Sequence, residues 1–304
     1  MSGKLKEVKT RIESVKNTQK ITKAMKLVAA SKFKKATDAI VRMRPYSEKL
    51  LEMLRNIVTA TEGDIKIALA EERAEVNNVL VVLMTSDKGL CGGFNANLIK
   101  KARATMAAVK EELPEAKITL MTIGKKGNDA YKKSTEFEVN SEHLDLFKGL
   151  TFENALVTVD EVFMAYEAGT YDKVYMVYSK FVNAITQVFN ATQFLPIEKI
   201  DTGDADKDTE KEEKAVANVD YIFEPEKNQL IQELAPKILK TQFYSYLLDT
   251  NASEHGARMT AMDNATENAE DLLRELKITY NKERQAAITK ELIEIVSGAS
   301  ALNG

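Results

Sequence analysis

The 304-residue chain carries 43 Lys and Arg against 46 Asp and Glu, with two histidines, one cysteine, five prolines, no tryptophan and 44% hydrophobic residues. That size holds one large or two ordinary domains, and the composition suits a soluble, helix-rich protein. Cys91 alone excludes an internal disulfide, His143 and His255 give no Cys/His metal spacing, and no apolar run of membrane-spanning length occurs, so neither metal nor cofactor is expected.

The N-terminal MSGKLKEVKTRI has no apolar secretory stretch, and a reducing interior, most simply bacterial cytoplasm, fits. From about Lys4 to Thr59, apolar residues recur at spacings of three and four. They fall at Leu5, Val8, Ile12 and Val15, then Ile21, Met25 and Val28, then Ala36, Ile40, Met43, Leu50, Leu54 and Ile57. Such a narrow seam is the pattern of a coiled-coil helix, assigned to 1–60. Pro45 should kink or break it, and Gly63 should close it. Between Lys4 and Arg44 stand thirteen basic residues but only Glu7, Glu13 and Asp38. This face is either solvated or meets an acidic partner, nucleic acid or protein.

The middle of the chain changes period. Val79–Met84 reads as a buried strand, followed by the loop Thr85–Gly93 and a helix from about Asn95. Lys117–Ile123 reads as a second strand, with a helix near Lys126–Lys132. A helix over Phe152–Ala168 and strands over Lys173–Tyr178 and Ile185–Leu195 complete the alternation. It predicts an inserted doubly wound, mainly parallel α/β (Rossmann-like) domain over 77–200. Asp201–Ala217, with almost nothing to bury, should be a surface loop, within a loop-and-foot segment over 201–224. Glu224-Pro225 should open a short helix. Pro236 should stand at the first position of the long C-terminal helix, in the segment 225–304. The seam of that helix runs through Met259, Met262, Ala269, Leu273, Leu276 and Tyr280. It is expected to continue through Ile288, Leu292, Ile295 and Leu302. The chain thus reads as a long antiparallel coiled coil of its own two ends, with the α/β domain inserted.

No catalytic constellation emerges. The Gly89–Gly93 turn lies where a doubly wound fold places phosphate, but it matches neither dinucleotide nor P-loop spacing, because its Lys precedes the glycines. Cys91 reads as a small buried thiol rather than a nucleophile. Ser253, Glu254 and His255 are adjacent on one helix and cannot form a relay. A nucleic-acid-binding coiled coil or a Rossmann-like enzyme with helical arms would compete with a shaft-like structural role.

Three blocks carry a family resemblance. They are Thr18–Lys32 (TQKITKAMKLVAASK), Ser86–Gly93 (SDKGLCGG), and Ser253–Met262 (SEHGARMTAM) followed by Tyr280–Glu291 (YNKERQAAITKE). In order and spacing they resemble the gamma subunit of the F-type ATP synthase, across essentially the whole chain. The resemblance implies a non-catalytic rotor shaft threading a ring of alpha and beta subunits. It also implies an epsilon subunit and c-ring at the foot, with no nucleic acid and no membrane insertion. The location implied is peripheral, at the cytoplasmic face of the bacterial membrane. Contacts with beta are implied for Met25, Lys88, Arg258, Arg284, Gln285, Thr289 and Glu291, with Arg284 and Gln285 as a polar catch. Tyr221 and Glu224 are implied at the foot. Photosynthetic relatives carry a regulatory cysteine pair, which a chain with Cys91 alone does not possess.

Overall fold

The computed structural model describes residues 3–59, 68–70, 73, 75–197 and 227–302. Gly63, the Asp201–Ala217 loop, Tyr221, Glu224 and Pro225 lie outside the described residues. Two long helices, α1 (Gly3–Thr59) and α5 (Lys227–Leu302), bracket a central five-stranded sheet. The chain forms two compact units, one of Met1–Ser31 with Arg258–Gly304, the other of Lys32–Ala257.

In the larger unit, β1 (Asn78–Met84), β2 (Lys117–Ile123), β3 (Glu138–Asn140), β4 (Lys173–Phe181) and β5 (Gln187–Leu195) form a sheet of order β3-β2-β1-β4-β5. All neighbours are parallel except β4 and β5, which form an antiparallel hairpin. The central strands are buried on both faces, which is why β1 reads as an unbroken apolar run. β3 escaped sequence reading. It has three residues, pairs only with Thr119–Met121, and carries no apolar alternation.

Helix α4 (Phe152–Glu167) covers one face, starting at Thr151, whose hydroxyl accepts the Asn154 amide at 3.2 Å. Val159, Val162 and Phe163 pack there on Leu80, Val82 and Met176, together with Leu239, Phe243 and Leu247 of α5. Helix α2 (Phe94–Glu112) and the short α3 (Lys125–Tyr131) cover the other face. Leu98, Ala102, Met106 and Tyr131 meet Val79, Val81 and Leu83 there, and Ala257 of α5 joins them. Asp172 ties the entry of β1 to that of β4. It accepts the Asn77 and Asn78 amides at 2.8 Å and pairs with Arg73 at 2.8 Å. Burial opposes its ionisation, but these partners hold its carboxyl below the usual range. α1 and α5 also pair within this unit, through Ala36 and Ile40 on Leu248 and Ala252, and Leu50 on Ile238.

In the smaller unit the two helices again run antiparallel. Lys26 pairs with Asp263, and the Thr22 and Thr266 hydroxyls meet at 2.8 Å. The seam follows Leu5, Val8, Ile12, Val15, Gln19, Thr22, Lys26 and Ala29, opposite Met259, Met262, Thr266, Ala269, Leu273, Leu276, Tyr280 and Glu283; all these residues are buried or half-buried. Both runs alternate steps of three and four without a break.

Four sequence expectations need correction. The seam does not pass through Ile21 and Val28, which are 60% and 58% exposed, and Met25 is only half-buried at its edge. A heptad stripe changes phase only where residues are inserted, so the seam holds its phase through polar residues and leaves apolar ones outside. For the same reason Ile288, Leu292 and Ile295 are exposed, and the phase would instead require Lys290 and Glu294.

Pro45 lies inside an unbroken α1, and Pro236 lies inside α5 rather than at its start. Each proline removes a donor from the carbonyl four residues earlier. Those carbonyls belong to Val41 and Gln232, both exposed, so water can replace the lost bond.

Gly124 follows β2 at φ +93°, where a Cβ would fall inside contact distance of the Thr85 carbonyl. Gly124→Ala should therefore lower unfolding free energy by about 2 kcal/mol or more, read by urea denaturation. Gly149→Ala, whose added Cβ would sit 3.6 Å from Asn154 Nδ2, serves as the near-neutral control.

Candidate functional site

In a doubly wound sheet of this order, ligands bind past the strand ends between β1 and β4, where the chain reverses its direction of progression. Here α5 fills that crevice. β1 stops pairing with β4 at Leu83 and Val177, and two residues on, the Ser179 amide donates to Thr250 Oγ1 at 3.3 Å. Gly256 follows in a tight passage: an added Cβ would lie 3.2 Å from Ala184 in the β4–β5 turn and from the Phe33 ring. Ala257 then enters the core beside Cys91 and Phe94. Ser253, Glu254 and His255 are all buried along this passage.

The Gly-rich loop is likewise occupied by its own chain. Asn95 accepts the Ser86 amide at 3.1 Å, and its Nδ2 reaches Ser86 Oγ at 2.7 Å and Cys91 Sγ at 3.2 Å. Ser86 Oγ also donates to the Lys88 carbonyl at 2.7 Å. Gly124 and Gly127 lie against Thr85, whose hydroxyl accepts the Gly127 amide at 2.8 Å. Cys91 is buried, as the sequence reading had it. What the loop shows outward is Lys88 and Leu90, the latter 63% exposed and at φ +64°. A non-glycine residue in the left-handed region costs about 1–2 kcal/mol.

Asp249 lies at the junction of α1, α5 and the β4–β5 hairpin. Burial pushes its carboxyl up to about 6, against the opposing pull of Arg44, the Phe181 amide and Lys180. Nearby, Tyr246 stacks on Tyr178 with centroids 3.9 Å apart, and burial drives its hydroxyl well above the ordinary value.

The smaller unit presents the second candidate surface. Where its seam turns polar, Gln19, Lys20, Lys23, Lys26, Asp263, Thr266 and Glu270 line a groove of about 370 Å³. Ile21, Leu27 and Val28 are exposed on the same stretch of α1. Of the thirteen basic residues from Lys4 to Arg44, only Lys26 is drawn into the seam, and the other twelve are exposed.

The antiparallel register sets Gly3 level with about residue 285 of α5. Beyond that point α5 continues with Ile288, Leu292, Ile293, Ile295 and Val296 exposed, Ile295 at 67%. Arg284, Gln285, Thr289 and Glu291 are exposed on this stretch, and Arg258 is half-buried at its other end. Met25 belongs to the same unit, whereas Lys88 belongs to the larger one. Sequence reading missed the polar seam, which a strict heptad count from Leu5 would have found. It also missed Asp249 and Arg44, which no local pattern joins.

A family model described as ATP synthase matches residues 4–302. The chain is 49% identical to the ATP synthase gamma chain of Cytophaga hutchinsonii over 98% of this chain and 99% of that one. It is 47% identical to that of Flavobacterium johnsoniae over 99% of each. In fold it is similar to a chain of the Euglena gracilis mitochondrial ATP synthase solved with OSCP, F1 and c-ring. The TM-score is 0.60 at 19% identity, over 99% of this chain and 95% of that one. A chain of the Tetrahymena thermophila mitochondrial ATP synthase central stalk and c-ring gives a TM-score of 0.53 at 25% identity, over 81% of this chain and 99% of that one.

The Asp249 environment gives a pH prediction. Between its ordinary value of 3.8 and about 6, the folded chain holds a proton that the unfolded chain has released. Stability should fall as pH rises through that window and level off above it. Asp249→Asn should flatten the slope and stabilise the chain at pH 7.5 by on the order of 2 kcal/mol. Urea titrations at pH 4.5 and 7.5 measure both; a less stable variant at pH 7.5 would mean that the Arg44 attraction outweighs the burial cost.

Proposed function

The chain belongs to the ATP synthase gamma chain family, the central-stalk rotor subunit, and from that premise we propose how its two units serve rotation. As a rotor it couples ion-driven turning to conformational change at catalytic sites elsewhere in the complex. In our reading those sites lie on beta subunits in a ring with alpha. Epsilon and the c-ring bind at the foot, near Tyr221 and Glu224, and the complex sits peripherally on the cytoplasmic face of the cell membrane. The working parts are the shaft segments 1–60 and 225–304, the body 77–200, and the loop and foot 201–224.

The observation that carries this reading is the run of α5 beyond the start of α1. Ile288, Leu292, Ile293, Ile295 and Val296 face outward with no intrachain cover from α1, as a tip turning inside an apolar sleeve requires. Along the shaft, Met25 and the exposed Ile21 and Val28 offer a shallow apolar contact amid exposed lysines. Contacts of this kind are individually weak, and exposed ion pairs contribute only about 0.2–1 kcal/mol each. A rotor needs such weakness, because every contact it makes must be broken once per turn. Arg258, Thr289, Glu291 and, from the larger unit, Lys88 complete the proposed beta-facing set. Arg284 and Gln285 act as a catch at one rotary angle.

The chain has no active site of its own in this reading, because α5 fills the crevice that a doubly wound fold uses for nucleotide. Calorimetric titration of the chain with Mg-ATP should give no micromolar site, and tight one-to-one binding would overturn the non-catalytic assignment. In the assembled complex, Arg284→Ala with Gln285→Ala should slow ATP turnover tenfold or more, the loss of up to a few kcal/mol from one angular minimum. Assembly should stay near normal, since both side chains lie outside the seam. Single-molecule rotation should show altered dwells; unaltered turnover in a fully assembled complex would remove the catch while leaving the shaft in place.

A further inference from the structure

We propose that Glu142, His143 and Glu161, in the larger unit and outside every surface described above, form a binding site for a divalent transition-metal ion of the zinc class. One ligand atom from each residue lies within 4.8 Å of the other two. The centre of such a triangle is within about 2.8 Å of every corner, so sub-ångström adjustment brings all three to the roughly 2.0–2.2 Å of zinc ligation. Both glutamates are exposed and able to make that adjustment.

The imidazole is pre-aimed. Thr158, 1% exposed on α4, places its hydroxyl 3.1 Å from Nδ1 and leaves Nε2 2.7 Å from Glu161 Oε2. A hydrogen bond at the distal ring nitrogen is what orients a ligating histidine and fixes its tautomer. One tautomer donates Nε2–H to Glu161; in the other, with the Thr158 hydroxyl accepting the Nδ1 proton, the Nε2 lone pair and Glu161 Oε2 are both open to one cation. One nitrogen and two carboxylates suit an ion of borderline softness, with water in the fourth position. Sequence spacing conceals the set, since Glu161 follows His143 by eighteen residues. Bound metal would staple the segment after β3 to α4.

Calorimetric titration of the chelator-treated full chain with zinc chloride tests this, with cobalt(II) absorption as a second readout. The expected result is one ion per chain and a cobalt spectrum without thiolate charge transfer, unchanged in Cys91→Ser. His143→Ala should abolish binding, Glu161→Gln should weaken it tenfold or more, and zinc should raise the melting temperature of the parent chain more than that of any variant and leave His143→Ala unshifted. Melting without metal separates misfolded variants from folded ones, and Glu142→Gln, altering an exposed side chain, should fold normally and bind several-fold more weakly. Equal binding by the parent and all three folded variants, or a signal that depends on Cys91, would overturn the proposal.

Discussion

A coiled pair of helices can bury only one stripe along each member, and that stripe's phase is fixed where it begins. In this chain the alternation of three and four from Leu5 is never reset, so it runs through Gln19, Thr22 and Lys26 even though Ile21 and Val28 stand one position away. Much of the smaller unit follows from this. The seam becomes polar in its middle, where Lys26 pairs with Asp263, and apolar side chains are left on the outside of α1. On α5 the displaced apolar stripe after Ala287 becomes outer surface. Interior and exterior are therefore assigned by phase, with hydrophobicity second.

The larger unit obeys a different constraint. A five-stranded sheet whose chain progresses first one way and then the other must leave an opening beyond the ends of β1 and β4. α5 closes it by passing from the α4 face, where Leu247 is buried, to the α2 face, where Ala257 is buried. The absence of a side chain at position 256 eases this close passage beside the Ala184 turn. A cleft that other proteins of this architecture use for chemistry is here spent on joining a helix to a sheet.

Most elements were legible because their signals are local and strong. β1 and β2 are apolar runs bounded by glycine and polar turns, and α4 carries a cap and a clear period. The outward direction of Arg284 and Gln285 was also readable from the spacing, although Ile288 was wrongly taken as the next seam residue. What stayed hidden needed information from elsewhere in the chain. β3 exists only because β2 offers it an edge. Pro45 and Pro236 are tolerated where the residues four positions earlier, Val41 and Gln232, are exposed. Asp249 and Arg44 are drawn together by a sheet and two helices that no local window contains. As for partners, the motif blocks alone suggested them, since no stripe, charge run or turn names what it touches.

The seam joins residues that are synthesised more than two hundred positions apart. Leu5, Val8, Ile12 and Val15 precede the sheet in the chain, and Leu273, Leu276 and Tyr280 follow only after the whole sheet has been made. Closing a loop of more than two hundred residues is slow, although each further doubling of length adds only about 0.6 kcal/mol to the entropy cost. For most of its birth, α1 is therefore a lone amphipathic helix with a greasy edge, open to capture by chaperones or by other nascent chains. When its partner arrives, a slip of one heptad in either direction sets Thr22 against Leu273 or Met259 and separates Lys26 from Asp263. The polar layer thus serves as an alignment mark, read once, at the moment α1 and α5 first meet.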